Sequence, residues 1–382
     1  MIDGSGQRIA VIGGGIAGAS AARAMVEHPS RPEVVLLEAE AQLAHHTTGR
    51  SAAQLIENYG AAPVRPLTAA SLAYLHRPPE HYCPTPLLRP QPVLTVGRPD
   101  QDSVIEAHLL AGRKANPDIA EITPGEAGRL FPALRTEHLS RVIIEPGSSD
   151  IDVSALHQSF VRAFTDHGGR IETLARVDAV RRPDHGGPWA VETTRGEWEA
   201  DIVVNAAGAW GDVVAGRAGV EPVGLVPKRR TAFMVASRWD GSAAWPMAAD
   251  AELDWYLKPD GPQFLCSPAD ETPSEPVDAK PEEIDIARAI ERINQATTLD
   301  IRSVRSSWAG LRTFAPDGAM VIGPDPDQPS FVWCVGQGGT GIQTSPAAGQ
   351  LVADLCLDGR PGPTFDGIEL DIAGLAPDRF RS

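Results

Sequence analysis

The chain has 382 residues, of which 42% are apolar and 22% charged, with a formal net charge of −16. That length exceeds one core of about 100–150 residues, so two domains are expected, and the apolar content excludes a disordered chain. The negative charge argues against a nucleic-acid binder and against docking on an anionic membrane. Four cysteines, at 83, 266, 334 and 356, form no Cys-x-x-Cys pair, which indicates neither a disulfide framework nor a zinc site. The uncharged run from Ile9 to Ala22 is too short to span a bilayer, and no basic segment precedes a cleavage-like site. A cytoplasmic protein, or one peripheral to the inner face of the membrane, fits these bounds.

In chain order, RIAVIG at 8–13 reads as a strand and is followed by Gly13, Gly15 and Gly18 in the order G-x-G-x-x-G. ASAARAMVEH then reads as a helix, and PEVVLLE as a second strand ending at Glu38. Strand, tight turn, helix, strand and an acid twenty residues on is the dinucleotide-binding pattern. Gly13 allows the turn, Gly15 lets backbone approach a pyrophosphate, and Gly18 lets the helix pack closely on the sheet. The helix N-terminus offers free N–H groups to phosphate, and Glu38 can accept from an adenosine ribose. The motif alone does not choose between NAD and FAD.

Residues 41–60 open with polar and small residues and then read as a helix. Pro78, Pro79, Pro84, Pro86, Pro90 and Pro92 break helices and mark a domain crossing. VLTV at 93–96 reads as a strand and 101–114 as a helix. A second helix spans 152–167, opened by Asp152, followed by the strand IETLA and a hairpin-like pair over 176–195. DIVVNAAGAW at 201–210 is a buried strand running into a small-residue turn. RRTAFMVA and DWYLKP, within 220–268, alternate as an antiparallel sheet does. Residues 268–283 hold six acids and four prolines and read as a surface excursion without assignable chemistry. A helix over 282–296 runs through Ile286, Ile290 and Ile293. FVWCV at 331–335 is a strand, and 346–357 a final helix. The two kinds of segment alternate along the chain, so two discontinuous domains are expected.

VIGGGIAGAS at 11–20, TTGRSAA at 47–53, VVNAAGAWG at 203–211 and GQGGTGIQTSPAAGQ at 336–350 resemble the FAD-dependent amino-acid oxidoreductases of the D-amino-acid oxidase and glycine/sarcosine oxidase group. YGAAPVRPLTAAS at 59–71, ALHQSF at 155–160, PKRRTAF at 227–233, WYLKPD at 255–260 and SWAGLRTFAPDG at 307–318 are similar to the bacterial D-arginine dehydrogenases of that group. The resemblance implies an α/β FAD-binding Rossmann-type domain with an interleaved α+β substrate domain built on a mainly antiparallel sheet. The expected FAD domain covers 1–85, 143–218 and 309–382, and the substrate domain 86–142 and 219–308. Thr48, Arg50, Ser51 and Ala53 would run along the pyrophosphate and isoalloxazine. Val177, Ala207 and Gly208 would let the cofactor lie close to the chain. Gly338, Gly339, Thr340, Gly341, Gln343 and Thr344 would form the last flavin-binding segment. Covalent relatives tether flavin through a Cys in the segment matching 306–310. Here it reads Ser-Ser-Trp-Ala-Gly, so non-covalent FAD is expected.

The same resemblance implies the substrate site. Arg230 and Arg312 map onto a carboxylate clamp, where an Arg fork gives two parallel hydrogen bonds. Strand alternation sends Arg229 to the other face. Tyr59 and Tyr256 match the site tyrosines, and Lys258 shares the face of Tyr256. Gln54, Leu55, Ile56, Val93, Met247, Ala249 and Gly339 would line the pocket, with Trp245 at its outer edge. His45 and His46 lie near the flavin segment without an assigned role. Val93 stands where arginine-specific relatives carry an acid that faces the guanidinium. With Leu55 and Ile56 it implies an apolar wall, in which a cation would lose water without a partner. Glu57 and Asp254 are the acids that could replace the missing one. Glu57 is expected to point elsewhere, and Asp254 to share the face of Tyr256. The expected reaction is oxidation of a neutral or hydrophobic D-amino acid to the imino acid, by hydride transfer to flavin N5, with oxygen or a quinone as electron acceptor. An N-methylated or cyclic secondary amino acid is the alternative. A 2-hydroxy acid, or flavin binding without catalysis, are weaker ones.

Overall fold

The computed structural model describes residues 6–183 and 186–381. Six strands form the first sheet: β1 (Arg8–Ile12), β2 (Glu33–Leu37), β9 (Arg170–Glu172), β13 (Ile202–Asn205), β20 (Val321–Pro324) and β21 (Phe331–Val335), in the order β20-β21-β13-β1-β2-β9. All neighbours are parallel except β20 and β21. Central β1 is apolar on both faces because both are covered. Ile9 and Val11 pack toward α1 (Ile16–Val26) and α8 (Gly341–Leu357). Ala10 and Ile12 pack toward the three-stranded sheet of β10 (Val177–Arg181), β11 (Trp189–Thr193) and β12 (Gly196–Ala200), with α6 (Gly211–Arg217) beside it.

A nine-stranded sheet forms the second layer. It contains β5 (Val93–Gly97), β6 (Ala120–Ile122), β7 (Arg141–Glu145), β14 (Val226–Ala236), β15 (Met247–Asp250), β16 (Tyr256–Asp260), β17 (Gln263–Ser267), β18 (Thr272–Pro273) and β19 (Ser306–Phe314). Its order is β18-β14-β17-β16-β15-β5-β7-β6, with β19 on β14. Every pairing is antiparallel except β15 with β5. Period-two alternation divides the side chains. Leu94, Phe233, Ala248, Leu257 and Cys266 pack behind the sheet in one core with Phe131 and with Ile286, Ala289 and Ile293 of α7 (Glu283–Ala296). Ala232, Met234, Ala249 and Tyr256 face the other way, toward the first layer.

The remaining elements are β3 (Gln54–Leu55), β4 (Leu88–Pro90) and β8 (Ser149–Ile151), which form a small sheet, and α2 (Arg65–His76), α3 (Asp102–Ala115), α4 (Pro124–Leu130) and α5 (Val153–Asp166). As expected, Asp152 caps α5, its carboxylate accepting from Ala155 N–H at 2.8 Å. Among the described residues, no helix is long and apolar enough to cross a membrane.

Three expectations need correction. Residues 41–60 form no helix. They hold one 3₁₀ turn at Thr48–Arg50 and strand β3, because side chains there bond to distant backbone. Thr48 Oγ1 accepts from Ile16 N–H at 2.9 Å, and Thr47 Oγ1 donates to the Leu311 carbonyl at 2.7 Å. The last helix starts at Gly341, a turn before Pro346. The Ile342 carbonyl, which Pro346 cannot serve because it has no N–H, accepts from the Ser345 hydroxyl at 2.9 Å. The expected boundaries at 142 and 308 fall inside β7 and β19, and both strands pair in the nine-stranded sheet. The segment 268–283 lies largely at the surface, as expected, and is anchored to the sheet: Asp270 accepts from Thr231 N–H at 2.6 Å and Thr231 Oγ1 at 2.9 Å, and β18 pairs with β14.

Candidate active site

The first βα turn admits no side chain at two of its glycines. Gly13 has φ +108, and a Cβ there would lie 2.5 Å from the Ala206 oxygen; one on Gly18 would lie 1.8 Å from the Gly13 oxygen. Helix α1 therefore starts tight against the sheet, with the N–H groups of its first turn at the cavity wall. Glu38 is mostly buried, and its carboxylate accepts from Gly14 N–H and Glu40 N–H, both at 2.8 Å. It fixes the turn from inside while still lining the cavity.

The cavity runs from this turn to the nine-stranded sheet. Gly13, Gly15, Glu38, Thr48, Arg50, Ser51, Val177, Ala207, Gly208, Gly338, Gly339 and Gly341 all line it, with His45 and His46. His46 Nε2 lies 2.9 Å from Glu40 Oε1. Gly18, Ala53, Thr340, Gln343 and Thr344 do not line it. Gln343 is 2% exposed and spends its amide on the loop before Tyr59. Its Oε1 accepts from Ile56 N–H at 3.1 Å, and its Nε2 donates to the Ile56 carbonyl at 3.1 Å and to Thr68 Oγ1 at 3.0 Å. Thr344 is fully buried and bonds back to the Thr340 carbonyl. The Ala53 carbonyl accepts from Lys258, which also pairs with Asp150. Arg50 is engaged elsewhere: its guanidinium donates to the Ala309 carbonyl at 2.9 Å, the Ala279 carbonyl at 3.2 Å and Asp278 at 2.6 Å. Its charge holds the 278–279 segment while the side chain lines the cavity.

Arg230 and Arg312 come from adjacent antiparallel strands. Arg230 lies opposite Gly310, and Lys228 opposite Arg312, so both guanidiniums share one face and both line the cavity. Arg230 Nε donates to the Asp270 carbonyl at 2.9 Å and its Nη2 to Glu271 at 2.8 Å. Arg312 Nη1 makes one long contact, 3.4 Å, to Tyr59 Oη. A Cβ on Gly339 would lie 2.6 Å from Tyr59 Oη and 3.0 Å from Arg312 Nη1, so this glycine opens the space in front of the pair. Burial, then the like charge of Arg312, hold the Arg230 guanidinium below its ordinary pKa. Burial pushes the Tyr256 phenol up, but Arg312 and Arg230 outweigh it and leave it below the usual phenol range. Arg229 turns to the other face, where Asp270 at 3.2 Å, Asp285 at 2.7 Å and Glu282 pair with it.

The expected pocket wall is partly reassigned. Met247 lies beside Val93 in register and Ala249 opposite Tyr256, on one face of the sheet, and of these four only Tyr256 lines the cavity. Leu55 is 2% exposed in a core with Leu75, Leu87 and Ile151, facing away. Ile56 is held through its backbone by Gln343. Gln54 Nε2 donates to the Gln91 carbonyl at 3.1 Å, and its Oε1 is buried without a partner. Trp245 packs behind the sheet, 4.7 Å from the Phe131 ring. Asp254 pairs with Arg292 at 3.1 Å beside a separate cavity, because the turn at Leu253 (φ 57) ends the strand face before it. Glu145, directly opposite Val93 and 8% exposed, is a buried acid on that face of the sheet, with Asn58 and Glu57 beside it, and it does not line the cavity. The reading of the sequence missed it because RVIIE at 141–145 was not assigned to a strand. The alternation of that run was the available signal.

Thr313 Oγ1 is buried on the cavity wall with no partner. Together with the first-turn N–H groups and the open face of Arg312, it suits a long polar cofactor. Among the described residues, no cysteine lines the cavity.

A family model described as "DAO: FAD dependent oxidoreductase" matches residues 8–355. Mitochondrial sarcosine dehydrogenase of Homo sapiens is 25% identical over 263 residues, covering 65% of this chain and 28% of that relative. Glycine oxidase of Geobacillus kaustophilus (strain HTA426) is 26% identical over 255 residues, covering 65% of this chain and 64% of that relative. The chain thus spans less than two thirds of the length of either. The crystal structure of L-proline dehydrogenase from P.horikoshii superimposes with a TM-score of 0.84 at 19% identity, covering 98% of both chains, a likeness of fold. The matched span contains the glycine turn, Glu38, both clamp arginines and the 336–350 segment, and the chain belongs to the DAO family of FAD-dependent oxidoreductases.

Proposed function

We propose that the chain oxidises the Cα–N bond of an α-amino acid, with Arg230 and Arg312 gripping the α-carboxylate. The observation that carries this is the pair of guanidiniums on one face of the sheet, at the cavity wall, with Arg312 left almost without protein partners. Two forks on one carboxylate are charge-assisted, and they are strong where water is excluded. FAD, when bound, supplies the hydride acceptor at its N5. The protein's part is alignment. Arg230 and Arg312 fix one end of the substrate, Tyr59 and Tyr256 close the space around it, and the missing side chain at Gly339 leaves room in front of them. No acid–base dyad is required once the amine is neutral, because its lone pair stabilises the developing iminium. Met247, Ala249 and Val93 extend the face of the sheet that Tyr256 carries.

The D configuration and the likeness to D-arginine dehydrogenases rest on the segments quoted from the sequence. An N-methylated or cyclic secondary amino acid is the second reading, and relatives named sarcosine dehydrogenase and dimethylglycine dehydrogenase at 25–27% identity favour its N-methylated form. An anaerobic stopped-flow panel of D-, L- and N-methyl amino acids and 2-hydroxy acids, followed at the flavin band, separates these readings. Bleaching by primary D-amino acids is the expected result. Bleaching by hydroxy acids alone would contradict it. Repeating the positives in air with peroxide detection distinguishes oxygen from a quinone as acceptor.

A further inference from the structure

We infer that His157 is a positioning residue for the cofactor: it holds the Gly14 carbonyl so that the next backbone N–H, that of Gly15, is presented to the FAD pyrophosphate. That role is independent of which substrate is oxidised. His157 is 5% exposed, on the buried side of α5. Its neighbours Leu156 and Phe160 pack with Ile16 and Ala19 of α1, and Phe164 packs with Ala21. The start of α5 thereby reaches the turn that precedes α1. There His157 Nε2 lies 3.0 Å from the Gly14 carbonyl oxygen. A carbonyl oxygen only accepts, so Nε2 carries the hydrogen and donates it. Burial outweighs that bond and holds the ring below the ordinary histidine pKa, so the imidazole is neutral near pH 7 and its single N–H is spent on Gly14.

The Gly14–Gly15 peptide is trans, and in a trans peptide the C=O and the following N–H point in opposite directions. The Gly14 carbonyl turns toward α5, where it accepts from His157 and also from Ala44 N–H at 3.2 Å. The Gly15 N–H therefore points away from α5, and Gly15 lines the cavity. The donors on either side are already engaged. Gly14 N–H goes to Glu38 at 2.8 Å, and Ile16 N–H to Thr48 Oγ1 at 2.9 Å. Of these three consecutive donors, only Gly15 N–H has no partner among the described residues. Glycine backbone is permissive, so an anchor from outside the turn is what selects this orientation. A donor fixed in advance loses less freedom when it meets an anion than one that must first be ordered.

The test measures the FAD dissociation constant of the full chain, by flavin fluorescence on dilution of the holoenzyme, in three variants. His157→Leu keeps bulk and removes the donor. His157→Asn keeps an amide too short for the Gly14 carbonyl, and His157→Gln places one at nearly the reach of Nε2. Leu and Asn are expected to raise Kd about 10-fold, the scale of weakening the bonds to a buried carbonyl, and Gln to restore most of the affinity. ADP, which shares the pyrophosphate and lacks the flavin, should lose affinity by the same factor when it competes with FAD. If the Leu variant does not fold, the contrast between Asn and Gln decides. A merely structural histidine would lower the Tm of the flavin-free chain and leave Kd, measured well below that Tm, unchanged in all three variants. That result overturns the inference. So does a loss of FAD affinity that Gln fails to restore, or one that ADP does not share.

Discussion

A Cβ on Gly339 would enter the space shared by Tyr59 Oη and Arg312 Nη1. Gly339→Ala is therefore expected to displace the Tyr59 phenol and lower kcat/KM at least ~10-fold, with the flavin spectrum retained, since a 1 Å misplacement at a reacting centre costs about 10²-fold. The arginines are a sharper case. Arg230→Ala or Arg312→Ala should each lose about 2–5 kcal/mol of transition-state stabilisation, largely by leaving the substrate carboxylate poorly paired. FAD content should be unchanged. Kinetics on the preferred amino acid check this, and a near-native kcat/KM in either variant removes that arginine from the site. Acid precipitation is expected to release all the flavin into the supernatant, because no thiol lines the cavity among the described residues. A pellet that stays yellow would contradict it.

At the scale of elements, position in a strand was legible where alternation was strong. RRTAFMVA separates Arg229 from Arg230 by parity alone, and the structure divides them the same way. The glycine turn, α5 and its Asp152 cap, and α7 were equally readable, since each carries local chemistry. What failed depended on distant partners. Residues 41–60 are set by bonds from Ile16 and to Leu311, neither of which a local pattern reports. Gln343 looked like part of a flavin turn and instead clamps Ile56. Gln343→Leu would strand the Ile56 peptide groups, and loss of such buried bonds costs about 1–3 kcal/mol. The expected readout is a lower Tm together with weaker substrate binding, because the loop it holds presents Tyr59. An unchanged Tm would mean the loop is held by other contacts.

Across the whole molecule, interleaved segments build two sheets with the cavity between them, and the acidic 268–283 segment secures it. Asp270 and Glu271 hold Arg229, Arg230 and Thr231, and Asp278 holds Arg50. The sequence showed that segment's charge but not the arginines it meets. Whole-molecule stability should also report Glu145. Its folded pKa, about 7, lies above the ordinary 4.5, so the folded state binds more protons between those values and stability falls as pH rises through that window. Relative to Glu145→Gln, the native protein without substrate should lose about 3 kcal/mol of unfolding free energy from pH 4.5 to 7. Parallel denaturation curves across that range check the sign, and a difference that stays constant would place the carboxyl in contact with water.

The central claim is that two arginines make the α-carboxylate the handle of the substrate. Its most direct test compares anaerobic flavin bleaching by an amino acid with bleaching by the amine that lacks only the carboxylate, such as leucine against 3-methylbutylamine. The account predicts that the amine reduces the flavin at least about 30-fold less efficiently, the low end for losing a buried charge-assisted pair. Equal efficiency for the two would contradict it.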